Sequence, residues 1–179
     1  VPHFITGARL LVKASSSIDK VEDLNGKKLV STKGTTPLKA ADQANRERLM
    51  GITIVEAPDH AKAVEMVEKG EADAFVMDAS ILAANISKSK APGNFKIVGD
   101  PLSVEPIACM LHRDDPTFKT MVDASIKRQI TDGSLAALYD KWLMQPVPPN
   151  NVKIGLPLST ATRAAWANPN DNPVETYNK

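Results

Sequence analysis

The chain has 179 residues, of which 42% are hydrophobic and 24% are charged, enough for one domain with a buried core or for one domain with a large appendage. Its formal net charge is +1 and it has no run of five or more basic residues, which argues against binding nucleic acid by neutralising phosphates. No apolar stretch approaches the roughly 20 residues that span a bilayer, and no charged-then-apolar leader opens the chain, as expected of a mature chain.

Strand-like and helix-like runs alternate between residues 28 and 99. Apolar, β-branched runs bounded by turn residues predict strands, and apolar residues at helical spacing predict helices. The predicted strands are residues 29–32, 53–55, 72–77 and 95–98, and the predicted helices are residues 36–49, 59–70 and 78–86. This alternation with short connections indicates an open, largely parallel α/β sheet.

Extended apolar segments flank this α/β unit. Residues 4–12 lead in and residues 104–111 lead out, and both suit strands that cross to a second body. Two helices are predicted after Pro116, separated by a break at residues 132–133. Their wide apolar faces have no following strands to cover. We therefore expect them to pack across the first unit, or to need a partner that is missing or supplied by another chain.

The C-terminal part is expected to be less regular. Prolines 146, 148 and 149 should end regular structure, and residues 160–167 suit a short helix. The tail from Asn168 is rich in asparagine and proline and is expected to be loosely held.

The sequence predicts neither a metal site nor a disulfide within the chain. Cys109 is the only cysteine, which excludes an internal disulfide and a cysteine-rich metal site. Its apolar surroundings favour a buried small hydrophobe, and a bridge to a partner is the alternative. His3 and His112 lack metal-ligand spacing and are expected at the surface. We predict no metal, no cofactor and no catalytic residue.

The three strand-to-helix junctions carry polar side chains. They contain Gly34-Thr35-Thr36, His60 and Asp78, respectively. Because the carboxyl ends of parallel strands meet at one edge of a sheet, a hydroxyl-rich anion cradle, an imidazole and a carboxylate should converge on one crevice. That set suits a small zwitterion with an additional negative group.

Each of these residues also has a purely structural interpretation. Gly34 to Thr36 suit a tight turn in which Thr36 caps a helix with Pro37 at its first position. His60 is equally consistent with a surface histidine, and Asp78 with an ordinary helix cap. The residues alone leave both interpretations open.

Several ordered motifs together resemble the periplasmic solute-binding proteins of polar amino-acid ABC transporters, most of all the glutamate/aspartate-binding type. The likeness extends to about residue 150, and the order and spacing of the motifs are more specific than any one of them. The motifs are Thr6-Gly7-Ala8-Arg9-Leu10-Leu11, Leu24-Asn25-Gly26-Lys27-Lys28, Gly34-Thr35-Thr36, Asp59-His60, Phe75-Val76-Met77-Asp78, Cys109-Met110-Leu111, Asp114-Asp115-Pro116 and Trp142 with Pro146, Pro148 and Pro149.

The resemblance implies a fold of two α/β lobes that trap ligand between them. Residues 10–103 are then the second lobe, and residues 1–9 and 104–111 are hinge strands. Residues 112–150 are helices that belong to the first lobe, and residues 151–179 are a C-terminal extension. Most of the first lobe, which in the family precedes the first hinge strand, is not in this chain.

The resemblance also implies roles for the junction residues. In the family, the segment matching Gly34 to Thr36 contacts the side-chain carboxylate of the ligand, a histidine at the place of His60 assists it, and an acid at the place of Asp78 accepts the ammonium. Lys33 departs from the small residue expected there, and Arg9 in the hinge strand is a weaker candidate. The arginine that holds the α-carboxylate comes from the first lobe, so this chain is expected to bind ligand poorly.

The expected partners are glutamate or aspartate, a membrane permease and a second copy of the chain, and the expected location is the periplasm. A dehydratase on the same fold, with Asp78 and His60 as acid and base, and a ligand-sensing extracellular domain are the alternatives. Against an enzyme, the sequence has no nucleophile elbow, metal motif or Walker-type phosphate loop.

Overall fold

The computed structural model describes residues 1–149 and 151–177. The strands are β1 (Phe4–Thr6), β2 (Ala8–Lys13), β3 (Lys28–Thr32), β4 (Thr53–Ala57), β5 (Ala74–Asp78), β6 (Phe95–Val98), β7 (Glu105–Ile107), β8 (Pro146–Val147) and β9 (Val152–Lys153). The α-helices are α1 (Thr36–Glu47), α2 (His60–Lys69), α3 (Ala79–Lys88), α4 (Pro116–Thr131), α5 (Ser134–Tyr139) and α6 (Thr160–Ala167).

The chain divides into two compact units. The sheet unit is Gly7–Ser103, and the terminal unit joins Val1–Thr6 to Val104–Lys179. The predicted boundary at residue 150 and the last two residues of the predicted extension lie outside the described residues.

The sheet unit contains five strands in the order β4-β3-β5-β2-β6. β3 is parallel to both β4 and β5, whereas β2 is antiparallel to both β5 and β6. β6 therefore runs in the same direction as β3, β4 and β5, and β2 alone is reversed. The predicted α/β class with a mostly parallel sheet is confirmed.

Both faces of this sheet are buried, which explains the almost continuous apolar strands. Consecutive strand residues point to opposite faces, so Leu10 packs in one core cluster and Leu11 in the other. Ala41 and Ala44 of α1 lie in the first cluster, and α2 and α3 supply residues to the second. Helices on both sides therefore hold the strand ends in place.

Helix α1 differs from the prediction at both ends. Thr35, not Thr36, is the N-cap residue, and its hydroxyl donates to the carbonyl of Thr32 at 2.8 Å rather than accepting from the helix. The helix ends at Glu47, before the predicted end at Leu49. The side chain of Asn45 accepts from the amide of Ile52 at 2.9 Å and donates to its carbonyl at 3.0 Å.

In the terminal unit, β1 pairs antiparallel with β7. Asp115 caps α4, since its carboxylate accepts from the amide of Phe118 at 2.9 Å. Helix α5 continues into a π-helical turn, Asp140–Met144. No residue of α4 or α5, both fully described, is buried. The apolar faces predicted to need a cover are therefore not fully buried: Phe118, Met121 and Leu138 are exposed, and so is Trp142 in the π-helical turn.

The expectation that Cys109 is buried was wrong. Cys109 is exposed, because the strand stops at Ile107 and the apolar run continues beyond the paired residues. His3 is half-buried beside β7, and burial, followed by the positive amino terminus, lowers the pKa of its imidazole. His112 is exposed as expected.

Helix α6, which matches the helix predicted for residues 160–167, is bonded to β1. The hydroxyl of Thr162, which is fully buried, accepts from the amide of Ile5 at 3.1 Å and donates to its carbonyl at 3.0 Å. The indole of Trp166 donates to the carbonyl of His3 at 3.1 Å. Ile5 lies opposite Pro106 in the β1–β7 pair. Its backbone amide and carbonyl therefore need hydrogen-bond partners on the edge of β1 away from β7. Helix α6 provides them. Farther on, Asp171 bonds Lys119 at 2.7 Å.

We expect Thr162→Val to weaken the attachment of β1, because it removes the partner of the Ile5 amide and leaves the Ile5 carbonyl only the longer bond from the hydroxyl of Ser159, at 3.5 Å. An unsatisfied buried polar group costs about 1–3 kcal/mol, so hydrogen exchange of the Ile5 amide should accelerate strongly. Thr160→Val, at an exposed position of the same helix, is the control. Equal protection of Ile5 in both variants would contradict this account.

Candidate ligand-binding site at the carboxyl edge of the sheet

The topology places the three predicted junctions at one edge of the sheet. β4, β3 and β5 are adjacent and parallel, so their carboxyl ends lie side by side. Thr32 ends β3 and pairs with Ala57, which ends β4. Asp78 ends β5 on the other side of β3. The polar residues that follow these ends therefore lie along the same edge, with the β3 junction between the other two.

The β3–α1 turn exposes the start of a helix. Gly34 has φ 76°, a conformation that favours glycine, and the amide of Lys33 donates to the carbonyl of Ala57 at 3.0 Å. Lys33, Gly34 and Thr36 are exposed, and Pro37 is buried at the helix start. Helix N-termini present free amide groups and favour negative charge. This turn can therefore bind a carboxylate through amide and hydroxyl groups.

His60 is held in place at the start of α2. The carboxylate of Asp59 caps the helix by accepting from the amide of Lys62 at 2.8 Å. Nδ1 of His60 lies 2.7 Å from Oγ1 of Thr32, and its ring lies 6.4 Å from the ring of Phe75, between centroids. His60 is half-buried, and its imidazole is held by the contact with Thr32.

Asp78 occupies the N-cap position of α3 without acting as a side-chain cap. Its carboxylate makes no capping hydrogen bond to the helix, and it is partly exposed. The junction is instead secured by the backbone, where the amide of Ala79 donates to the carbonyl of Gly7 at 3.0 Å. The side chain of Asp78 therefore does not fulfil the helix-cap interpretation.

Two further residues clarify the site. The guanidinium Nε of Arg9 donates to the carbonyl of Gly99 at 2.8 Å, a structural contact within the sheet unit. Thr32, which sequence reasoning missed, contacts His60 across the β3–β4 pair. Its only sequence signal is its hydroxyl at the carboxyl end of the predicted strand.

The described residues contain no group of three or more histidine, cysteine, aspartate or glutamate side chains arranged to hold a metal ion. None of the helices in the described part of the chain is long and apolar enough to cross a membrane.

The fold is an α/β sheet with polar residues along its carboxyl edge, and solved structures share this fold. The ligand-binding core of GluR0 from Nostoc punctiforme, solved with L-glutamate, matches with TM-score 0.64 and 27% identity, over 79% of this chain and 63% of that one. No family model matches the sequence.

Two curated relatives are similar over nearly the whole chain. The glutamate/aspartate import solute-binding protein of Salmonella typhimurium is 40% identical over 168 residues, covering 94% of this chain and 56% of the relative. The L-glutamate/L-aspartate-binding protein of Pseudomonas aeruginosa is 36% identical over 172 residues, covering 96% and 57%. The predicted resemblance is confirmed, and the chain spans a little over half the length of these relatives.

We expect Gly34→Ala to destabilise the sheet unit by about 1 kcal/mol, because an L side chain at this positive φ is strained. Steric clash does not contribute to this destabilisation, since a Cβ added at Gly34 would meet nothing within 4 Å. Gly93→Ala is a matched control, with the same open space and no positive φ. Urea denaturation should separate the two variants, and equal stability would show that the turn tolerates alanine.

Proposed function

We propose that the chain is part of the substrate-binding component of an amino-acid ABC importer, and that the carboxyl edge of its sheet binds glutamate or aspartate. The observation that carries the proposal is the placement of an exposed helix N-terminus, an imidazole and a carboxylate along one edge. Relatives with glutamate and aspartate in their names support the choice of ligand.

The chemistry of the edge matches the ends of an acidic amino acid. The carboxylate of Asp78 accepts hydrogen bonds from the ligand ammonium. The amides of Gly34, Thr35 and Thr36 and the hydroxyl of Thr36 bind the side-chain carboxylate, and His60 donates to the same group. An acidic amino acid has one ammonium and two carboxylates. Its α-carboxylate has no assigned partner at this edge and must be bound by a group elsewhere.

The parts of the chain have separate roles in this proposal. Residues 10–103 form the second ligand-binding lobe, residues 1–9 and 104–111 are hinge strands, and residues 112–150 belong to the first lobe. Residues 151–179 are an extension. Ligand binds between the lobes in the periplasm, and closure presents a surface to the membrane permease, as in other hinge-type switches.

The dehydratase alternative is less consistent with the edge. His60 and Asp78 follow strands on opposite sides of β3, so their junctions are separated by two strand spacings, roughly 10 Å. That separation suits contacts at the two ends of an amino acid better than proton transfers at one bond. The named relatives are also binding proteins.

We expect the isolated chain to bind glutamate weakly, because no residue in it is assigned to the α-carboxylate. Calorimetry should detect no micromolar binding, whereas amide chemical shifts of Gly34, Thr36 and His60 should respond to millimolar glutamate or aspartate and less to glutamine. Asp78→Asn should weaken the response by about tenfold, since a charged hydrogen bond is lost.

Asp100→Asn, at an exposed position, is the control for that experiment. Micromolar binding would contradict the expected weakness. Shifts confined to other residues, or an equal response to arginine, would contradict the proposed site.

The exposed apolar side chains of α4, α5 and the following π-helical turn support a further proposal, that the isolated chain self-associates. Met121 is 62% exposed and Trp142 49% exposed, and apolar patches of this kind mark interaction surfaces. A second copy offers an identical apolar face, so pairing would remove both from water.

Light scattering should therefore give a mass above that of the 19.3 kDa chain. Met121→Lys should shift the equilibrium toward monomer, because it places a charge in the contact. Lys153→Gln, outside the helices, should leave the mass unchanged. A clean monomer for the unaltered chain would contradict self-association.

A further inference from the structure

Thr32 connects two of the three junctions. It is the last residue of β3 and is 7% exposed. Its Oγ1 lies 2.7 Å from Nδ1 of His60, and its carbonyl accepts from the hydroxyl of Thr35 at 2.8 Å. One residue therefore contacts both the imidazole and the threonine turn, although His60 is 28 residues away in sequence.

The surroundings of His60 leave it little freedom. The parallel pair Thr32–Ala57 sets the distance between the end of β3 and the start of α2. Asp59 fixes the first turn of α2, and Phe75, fully buried, lies beside the imidazole ring. With Nδ1 directed at Thr32, Nε2 is on the opposite part of the ring.

We propose that Thr32 is a positioning residue for His60: its hydroxyl binds Nδ1 and presents Nε2 as a hydrogen-bond donor to the ligand carboxylate. The part concerning the ligand rests on the proposed function, whereas the contact within the protein does not.

The chemistry of the hydroxyl explains why threonine suits this place. In a neutral imidazole one ring nitrogen donates and the other accepts. When the hydroxyl of Thr32 donates to Nδ1, the imidazole proton resides on Nε2. When the imidazole is protonated, both ring nitrogens donate, and the same hydroxyl accepts from Nδ1. Nε2 therefore carries a proton in both states.

The first measurement is the tautomer of His60 in the full chain, read from its imidazole ¹⁵N shifts at a pH where the ring is neutral. The unaltered chain and Thr32→Ser should show mainly the Nε2–H form. Thr32→Val, nearly the same in shape, should show a mixture. Thr53→Val, at the exposed start of β4, is the control for loss of a threonine hydroxyl in the sheet.

Either of two results would overturn the proposal: mainly Nδ1–H in the unaltered chain, or an unchanged tautomer in Thr32→Val. The first of these needs no variant, so the test remains decisive if Thr32→Val does not fold. Retention of the Nε2–H form by Thr32→Ser distinguishes a role of the hydroxyl from a role of the methyl group.

The second measurement is the amide-shift titration with glutamate. Thr32→Val should weaken binding by about tenfold, and Thr32→Ser should stay near the unaltered chain. If the tautomer changes as expected but the unaltered chain does not respond to glutamate, the proposed function fails while the positioning role stands. If glutamate binds equally to Thr32→Val, the positioning role in binding is wrong.

Discussion

The parallel pairing of β4, β3 and β5 is the constraint on which the candidate site depends. Each strand is followed by a helix whose start carries one of the polar groups, and the pairing brings the three starts to one edge. Both sheet faces are covered by helices. The buried strands therefore act as a rigid support, and the polar edge is the part left to interact.

Local bonds at this edge refine what the topology provides. Thr35 bonds the backbone of Thr32, Thr32 bonds His60, and the amide of Lys33 bonds the end of β4. The site is thus a set of linked turns, in which moving the threonine turn would disturb the imidazole. Preorganisation of this kind lowers the ordering cost of binding a small ligand.

The terminal unit buries its apolar side chains less completely than the sheet unit does. Its β1 strand is fastened by Thr162 and Trp166 of α6. Helices α4 and α5, by contrast, expose their apolar side chains.

The sequence by itself determined the kinds of element, their approximate bounds and the polar residues at the junctions, because strand alternation, helical spacing and breakers are local signals. Only the tertiary structure decided that β2 is reversed between β5 and β6, that Thr32 contacts His60, that Asp78 makes no cap and that Cys109 is exposed. These features depend on pairing and packing between residues distant in sequence, which no local pattern encodes.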